Sequence, residues 1–298
     1  MIEVCPHAKR RAAKTLVLAL FLTLVFISIF AIGLVPVSAD DTNEPPHLQF
    51  IPLVVQPGTP AVENSDAIEL VNEMRTEADI PPVNESDPLN DNCYEHARYM
   101  AENNVLAHDQ NPNLPYASES GQSCAQNANA WLGRSNDFGD WTPDDSVEVW
   151  MSSVGHRLWL LYPTTKTVGY GFFRTDEDNR AAAALDVLSS AHFEKDEEYN
   201  GWPIQYPVGD LVVPSTRYPI TLNWRYFGPK PVLGKVQLKT SAGQTLTFDA
   251  NTDLPAGHKG IQIIPKVDLP AHSQINVTIS GSYDGVPFSS SWDFHTGN

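Results

Sequence analysis

Residues 146–163 read Ser-Val-Glu-Val-Trp-Met-Ser-Ser-Val-Gly-His-Arg-Leu-Trp-Leu-Leu-Tyr-Pro. Two hydroxyls, Ser152 and Ser153, precede the imidazole of His156, a grouping that raises nucleophilic catalysis. No Gly-x-Ser-x-Gly elbow and no third triad member accompanies them, so the residues do not point to a serine hydrolase. His7, His47, His192, His258, His272 and His295 are scattered without ligand spacing, and His96 sits inside a helical run, where a packed or capping role is expected. The acidic run at 194–198 lacks the alternating Asp/Asn and the glycine of a calcium loop and reads as a solvated linker. No Cys-x-x-Cys spacing suggests zinc or thiol redox chemistry.

Three helical patterns must position this imidazole. Asp66 with Glu69 three residues on reads as a helix start, followed by the stripe Ile68, Leu70, Val71, Met74 and Ala78, and Pro81-Pro82 closes it. A second helix is predicted over 90–106. Residues 109–140 are rich in Asn, Ser, Gly and Asp and read as loop, with a short helix near 125–132. The third helix opens on Thr142 as cap, Pro143, Asp144 and Asp145. It buries Val147, Trp150, Met151 and Val154, and Gly155 reads as its stop. Trp150 and Trp159 read as core aromatics, and Glu148 as solvated.

Beyond it the period becomes extended. Residues 167–174 and 181–188 predict a hairpin, and three helices before two strands give an α+β domain. From about residue 199 helix signals stop. Ile220-Leu222-Trp224, Val236-Leu238, Leu246-Phe248 and Ile275-Val277-Ile279 alternate at period two, with turns at 241–244 and 283–286. This predicts an all-β immunoglobulin-like sandwich, on pattern alone.

Composition sets the compartment. Lys9, Arg10, Arg11 and Lys14 precede an apolar run over residues 15–34 and then Val37-Ser38-Ala39, the order of a secretory signal peptide. The run is also long enough for an uncleaved membrane anchor. Either way the rest is exported, secreted or held on the outer face of the cell membrane. Residues 40–64 are proline-rich and read as a linker. Without residues 1–39, which hold four of the 19 basic and one of the 36 acidic residues, the net charge moves from −17 to −20. Such a surface repels nucleic acid and anionic lipid, so membrane contact is expected only through the N-terminal segment. Cys93 and Cys124 are the two cysteines of the exported part and are expected to form a disulfide.

The strings "LVNEMRTEADIPPV", "CYEHARYMAENNVLAHD", "CAQNANAW" and "VEVWMSSVGHRLWLLYPTTKTVGYGF" occur in an order and spacing that resembles the CAP superfamily of cysteine-rich secretory proteins, antigen 5 and pathogenesis-related 1, over roughly residues 65–190. The resemblance implies an α-β-α sandwich with an open cleft. Two histidines facing the cleft would be His108 and His156, which in many members hold a divalent metal such as zinc. Two glutamates usually accompany them. Here the first position carries Gln126, beside Asn127, and the second falls at Ser153. Two imidazoles are fewer ligands than a catalytic zinc usually has, and the missing carboxylate removes the obvious general base. Glu119 is a substitute acid that nothing fixes at the site.

The expected organisation is therefore residues 1–39 for export, a 40–64 linker, a CAP-like domain over 65–198 and the β domain over 199–298. The leading function is binding of a lipid, sterol or peptide in the cleft. The alternatives are a metal-dependent peptidase using the same histidines, and a structural envelope or adhesion protein with a vestigial cleft. The residues set no oligomeric state.

Overall fold

The computed structural model describes residues 61–298 apart from 135–140 and 176–178, and the side chains of 66 onward. The export segment and most of the proline-rich linker lie outside the described residues.

A four-stranded sheet forms the middle of the first half. Its strands are β1 (Asn84–Glu85), β2 (Ala128–Arg134), β3 (Thr167–Arg174) and β4 (Arg180–Asp186), ordered β1-β3-β4-β2. β3 and β4 make the expected hairpin, β2 runs antiparallel beside β4, and β1 runs parallel to β3. The helices are α1 (Ala61–Glu77), α2 (Asp87–Asn103), α3 (Glu119–Ala125), α4 (Pro143–Ser152) and α5 (Val154–Leu160).

Strand alternation sends side chains into two cores. Val168, Tyr170, Phe172, Ala181, Ala183 and Leu185 meet Ile68, Val71, Val147 and Trp150 of α1 and α4. Ala182 and Ala184 meet Cys93, Met100 and Cys124 of α2 and α3. The result is helix, sheet, helix. On the α2 side the helix lies almost on the strand backbone, because β3 presents Gly169 and Gly171 there. A Cβ on Gly171 would stand 2.0 Å from the Tyr94 backbone nitrogen, and one on Gly169 2.2 Å from the Leu89 Cβ. Any side chain at either position would push the helix off the sheet. On the other side Trp150 is fully buried, and its Nε1 donates to the Ala130 carbonyl at 3.1 Å.

Several expectations need correction. α1 starts before Asp66, so Asp66 is an interior residue rather than a cap. Its end is set by Asp79, which adopts φ 55 ahead of the two prolines. The short helix comes earlier than expected, at Glu119–Ala125, capped by the Ser118 hydroxyl accepting from the Gly121 amide. Strand β2 then occupies the stretch expected to be helical. Gly155 does not end a helix either. Ser153 breaks the run with φ −102 and ψ 122, and α5 begins again at Val154 with Gly155 and His156 in its first turn.

The second half is all β. One sheet has the order β5-β7-β10-β9, from β5 (Ile204–Tyr206), β7 (Ile220–Trp224), β10 (Lys259–Pro265) and β9 (Phe248–Asn251). The other has the order β6-β12-β11-β8, from β6 (Val212–Val213), β12 (Val286–Thr296), β11 (Gln274–Tyr283) and β8 (Val232–Thr240). Leu222, Ile261 and Ile263 of the first share one core with Leu238, Ile275, Val277 and Phe294 of the second. The β11–β12 turn puts Asp284 at φ 51 and Gly285 at φ 76, the double left-handed turn that a two-residue Asp-Gly hairpin favours.

Two buried arginines pin the helices, and the second of them also reaches the β half. Arg75 of α1 is fully buried, with Nε donating to the Pro81 carbonyl at 2.8 Å and Nη1 to the Leu160 carbonyl at 2.6 Å. Burial lowers its guanidinium to about 10. Arg157 of α5, also fully buried, donates from Nε to Met151 O at 2.6 Å and from Nη1 to Pro219 O, in the β half, at 2.7 Å. Its guanidinium carbon stands 4.9 Å from the Tyr206 ring centroid and 4.8 Å from that of Tyr218. The acidic run read as a solvated linker contains a third anchor. Asp196 is buried and accepts from the hydroxyls of Tyr162 and Thr164.

Candidate functional site

α2 ends where Asn104 turns left-handed, φ 53, and the chain enters the loop that carries His108. His96 fixes that loop from beneath. It is fully buried, its Nε2 donates to the Ala107 carbonyl at 3.0 Å, and its Nδ1 accepts from Gln110 Nε2 at 3.2 Å. The acceptor role requires neutral imidazole, and burial holds the group down to about 4. The Cys93–Cys124 disulfide, with a Cα–Cα distance of 5.1 Å, ties the middle of α2 to the end of α3. Gln126 is the C-cap of α3, next to Asn127, whose carbonyl accepts from the amides of Val187 and Leu188.

His156 arrives from the opposite side on α5. Its carbonyl accepts from Asn129 Nδ2 at 3.1 Å, and its Nδ1 lies 3.1 Å from Ser153 Oγ. That leaves Nε2 as the ring nitrogen offered to a ligand. Burial first, and His108 second, hold the imidazole below its usual range. His156 lies in the first turn of α5, where the helix end is partially positive, so the dipole also disfavours the cation.

The structure brings His108, Gln126, Asn127, Ser153 and His156 to the wall of a single cavity of about 440 Å³. Three contributions had no signal in the sequence reading. Asn129 of β2 lines it as a second amide, and Trp159, assigned to the core, is half-buried and forms an apolar wall. Pro255 and Ala256, about a hundred residues further on in the β half, close one side. Asn129 falls in a stretch with weak strand signal and Pro255 in one that reads as an ordinary turn, so only the folded chain reveals them.

Glu119 does not join them. It stands in the first turn of α3 and lines a different cavity with Gln110, Pro112 and Gln122. Among the described residues no carboxylate lines the histidine cavity. Among the described residues no three His, Cys, Asp or Glu side chains group as metal ligands. The donor set is two imidazoles and neutral amides, which falls short of the three protein ligands of a catalytic zinc. Chemically the wall offers hydrogen bonds of both senses and an aromatic face, and the two imidazoles are its titratable groups among the described residues.

A three-layer α-β-α unit with this cavity at the ends of its helices is the class the fold defines. Residues 68–187 match the family model of the cysteine-rich secretory protein family, CAP. The chain is also similar in part to two solved structures. One is an outer surface protein from Borrelia burgdorferi, at 16% identity and TM-score 0.32, over 42% of this chain and 91% of that chain. The other is an extracellular protein containing a SCP domain from Bacillus anthracis str. Ames, at 20% identity and TM-score 0.31, over 42% of this chain and 40% of that chain. No curated protein matches the chain.

Proposed function

We propose that this is an exported CAP-domain binding protein. It takes a small amphipathic ligand, a lipid, a sterol or a short peptide, in the histidine cavity. The observation that carries the reading is the composition of that cavity: two imidazoles and three amide side chains facing Trp159, Val187, Leu188 and Pro255, with no acid among the described residues. Small-molecule sites share this plan of an apolar wall with a few convergent polar groups. A metal-dependent peptidase would need a third group to activate its nucleophile, and the carboxylate candidate, Glu119, sits in another cavity, which leaves the neutral amide of Gln126. A divalent ion is therefore proposed only as an accessory that the two imidazoles would hold weakly.

Export is supported by the signal-like order of residues 9–39 and by the Cys93–Cys124 disulfide, a bond that persists in oxidising compartments. We read the β half, two facing four-stranded sheets, as immunoglobulin-like and as the part that completes the cavity through Pro255.

Equilibrium binding of labelled sterol, fatty acid and short peptides tests this, comparing the wild type with His108→Ala/His156→Ala and with Trp159→Ala. Ligand binding that falls at least tenfold in both variants, roughly the loss expected from a large aromatic contact, supports the reading. Chelator-sensitive peptide cleavage would replace it with the peptidase. A fully folded double variant that differs from the wild type towards none of these ligands would leave a structural protein.

A further inference from the structure

A second concavity lies between α1, α4 and β6. Glu69, Glu73 and Glu77 form one stripe of α1, four residues apart, and all three are exposed. They line a groove of about 830 Å³ with Glu148 of α4 and with Asp210, beside β6. An adjoining pocket of about 340 Å³ shares Met74, Glu148, Leu211 and Val212 with it and has an apolar floor that includes Met151, Tyr206 and Tyr218. Among the described residues no basic side chain pairs with any of the five carboxylates. The acids nearby feel one another. The carboxyls of Asp144 and Glu148 are held above their usual range by partial desolvation first and neighbouring carboxylates next.

The groove also has an open backbone edge. Among the described residues β6 is the outer strand of its sheet and pairs only with β12. The bonds run from the His295 amide to Leu211 O and from the Gly297 amide to Val213 O. In a strand the groups of the intervening residue point the other way, so the N–H and C=O of Val212 face away from β12, and Val212 lines both the groove and the adjoining pocket. Val212 is 62% exposed. A short unpaired edge beside an apolar pocket is the geometry by which an extended peptide adds as a strand.

We propose that this groove docks an extended, basic segment of a partner protein. The segment would pair with the β6 edge, direct lysine or arginine side chains to the α1 stripe, and place one apolar side chain in the Met74–Tyr218 pocket. Charge selects the occupant, since a stripe of unpaired acids repels acidic peptides and anionic lipid alike.

The test uses the exported chain and a short fluorescein-labelled peptide alternating lysine and valine, followed by polarisation. Binding is expected to weaken with salt and to weaken roughly tenfold in Glu69→Gln/Glu73→Gln/Glu77→Gln, three exposed charge contacts at the usual strength. Those substitutions are on the surface and should leave the circular dichroism unchanged. Val212→Pro, which removes the outward N–H and no charge, should weaken it similarly. Three outcomes overturn the proposal. They are wild-type affinity in the triple variant, equal affinity for the same peptide with glutamate in place of lysine, and concentration-dependent dimers in sedimentation that the triple substitution abolishes. The last would assign the face to a second copy.

Discussion

Gly155 of α5 lies directly against Pro255 of the β half: a Cβ placed on the glycine would stand 3.2 Å from the proline Cβ. This contact forms one side of the histidine cavity, and it explains the glycine better than a helix stop does. Gly155→Ala should be near neutral, because about 1 kcal/mol of helix propensity offsets a contact that needs only a few tenths of an ångström. Gly155→Val should cost about 1–3 kcal/mol by overpacking. Urea midpoints of the two variants measure this, and equal midpoints would contradict the contact.

Arg157 should be the most sensitive buried side chain between the halves. Arg157→Ala removes two charge-assisted bonds and two ring contacts, and is expected to cost about 3–5 kcal/mol. Arg157→Lys, which cannot span Met151 O and Pro219 O together, should recover less than half of that. Denaturant unfolding followed at tryptophan fluorescence gives both values.

His258 is 3% exposed, and both its ring nitrogens lack partners among the described residues. Its ring centroid lies 4.1 Å from that of Trp159 and 5.3 Å from that of Tyr226. Burial, and then Lys259, depress it to about 3. A depressed histidine stabilises the fold fully above its unfolded value near 6.5, and the contribution is lost as pH falls towards the folded value. His258→Phe should therefore match or exceed wild-type stability at pH 7, by up to about 1 kcal/mol. Its advantage should grow between pH 6.5 and 4. His96, at about 4, acts in the same direction and keeps part of the slope. The raised carboxyls of Asp186 and Asp196 oppose it only where carboxylates titrate. Identical stability-against-pH curves for wild type and His258→Phe would refute the buried neutral ring.

Reducing Cys93–Cys124, which closes a sequence separation of 31, should lower stability by about 3–4 kcal/mol. Thiol labelling of the unfolded exported form should find no free cysteine before reduction and two after it. Peptide or lipid affinity should fall with reduction as well, because the bond ties α2 to the α3 end that presents Gln126.

The first half was legible where the signal is local. The Thr142-Pro143-Asp-Asp start of α4 appears as a capping box, with Asp145 Oδ2 accepting from the Thr142 amide at 2.7 Å. The β3–β4 hairpin and the Asp-Gly turn are local in the same way. β2 was misread because Ala-Asn-Ala-Trp-Leu-Gly-Arg has weak strand propensity. Its pairing with β4 along seven residues overrides that. Asp196 looked solvated because its neighbours are acidic, yet Tyr162 and Thr164, more than thirty residues earlier, bury it. The pocket residues were named from motif order, whereas Asn129 and Pro255 depend on chain segments that meet only after folding.

His156 and Arg157 are consecutive on α5, one facing the cavity and the other gripping Pro219 of the β half. A tilt of that half reaches the cavity-facing imidazole through a single peptide unit. The cavity's shape is therefore mechanically geared to how its neighbour is docked, and a cut between the halves that preserved each sheet intact would still detune the pocket.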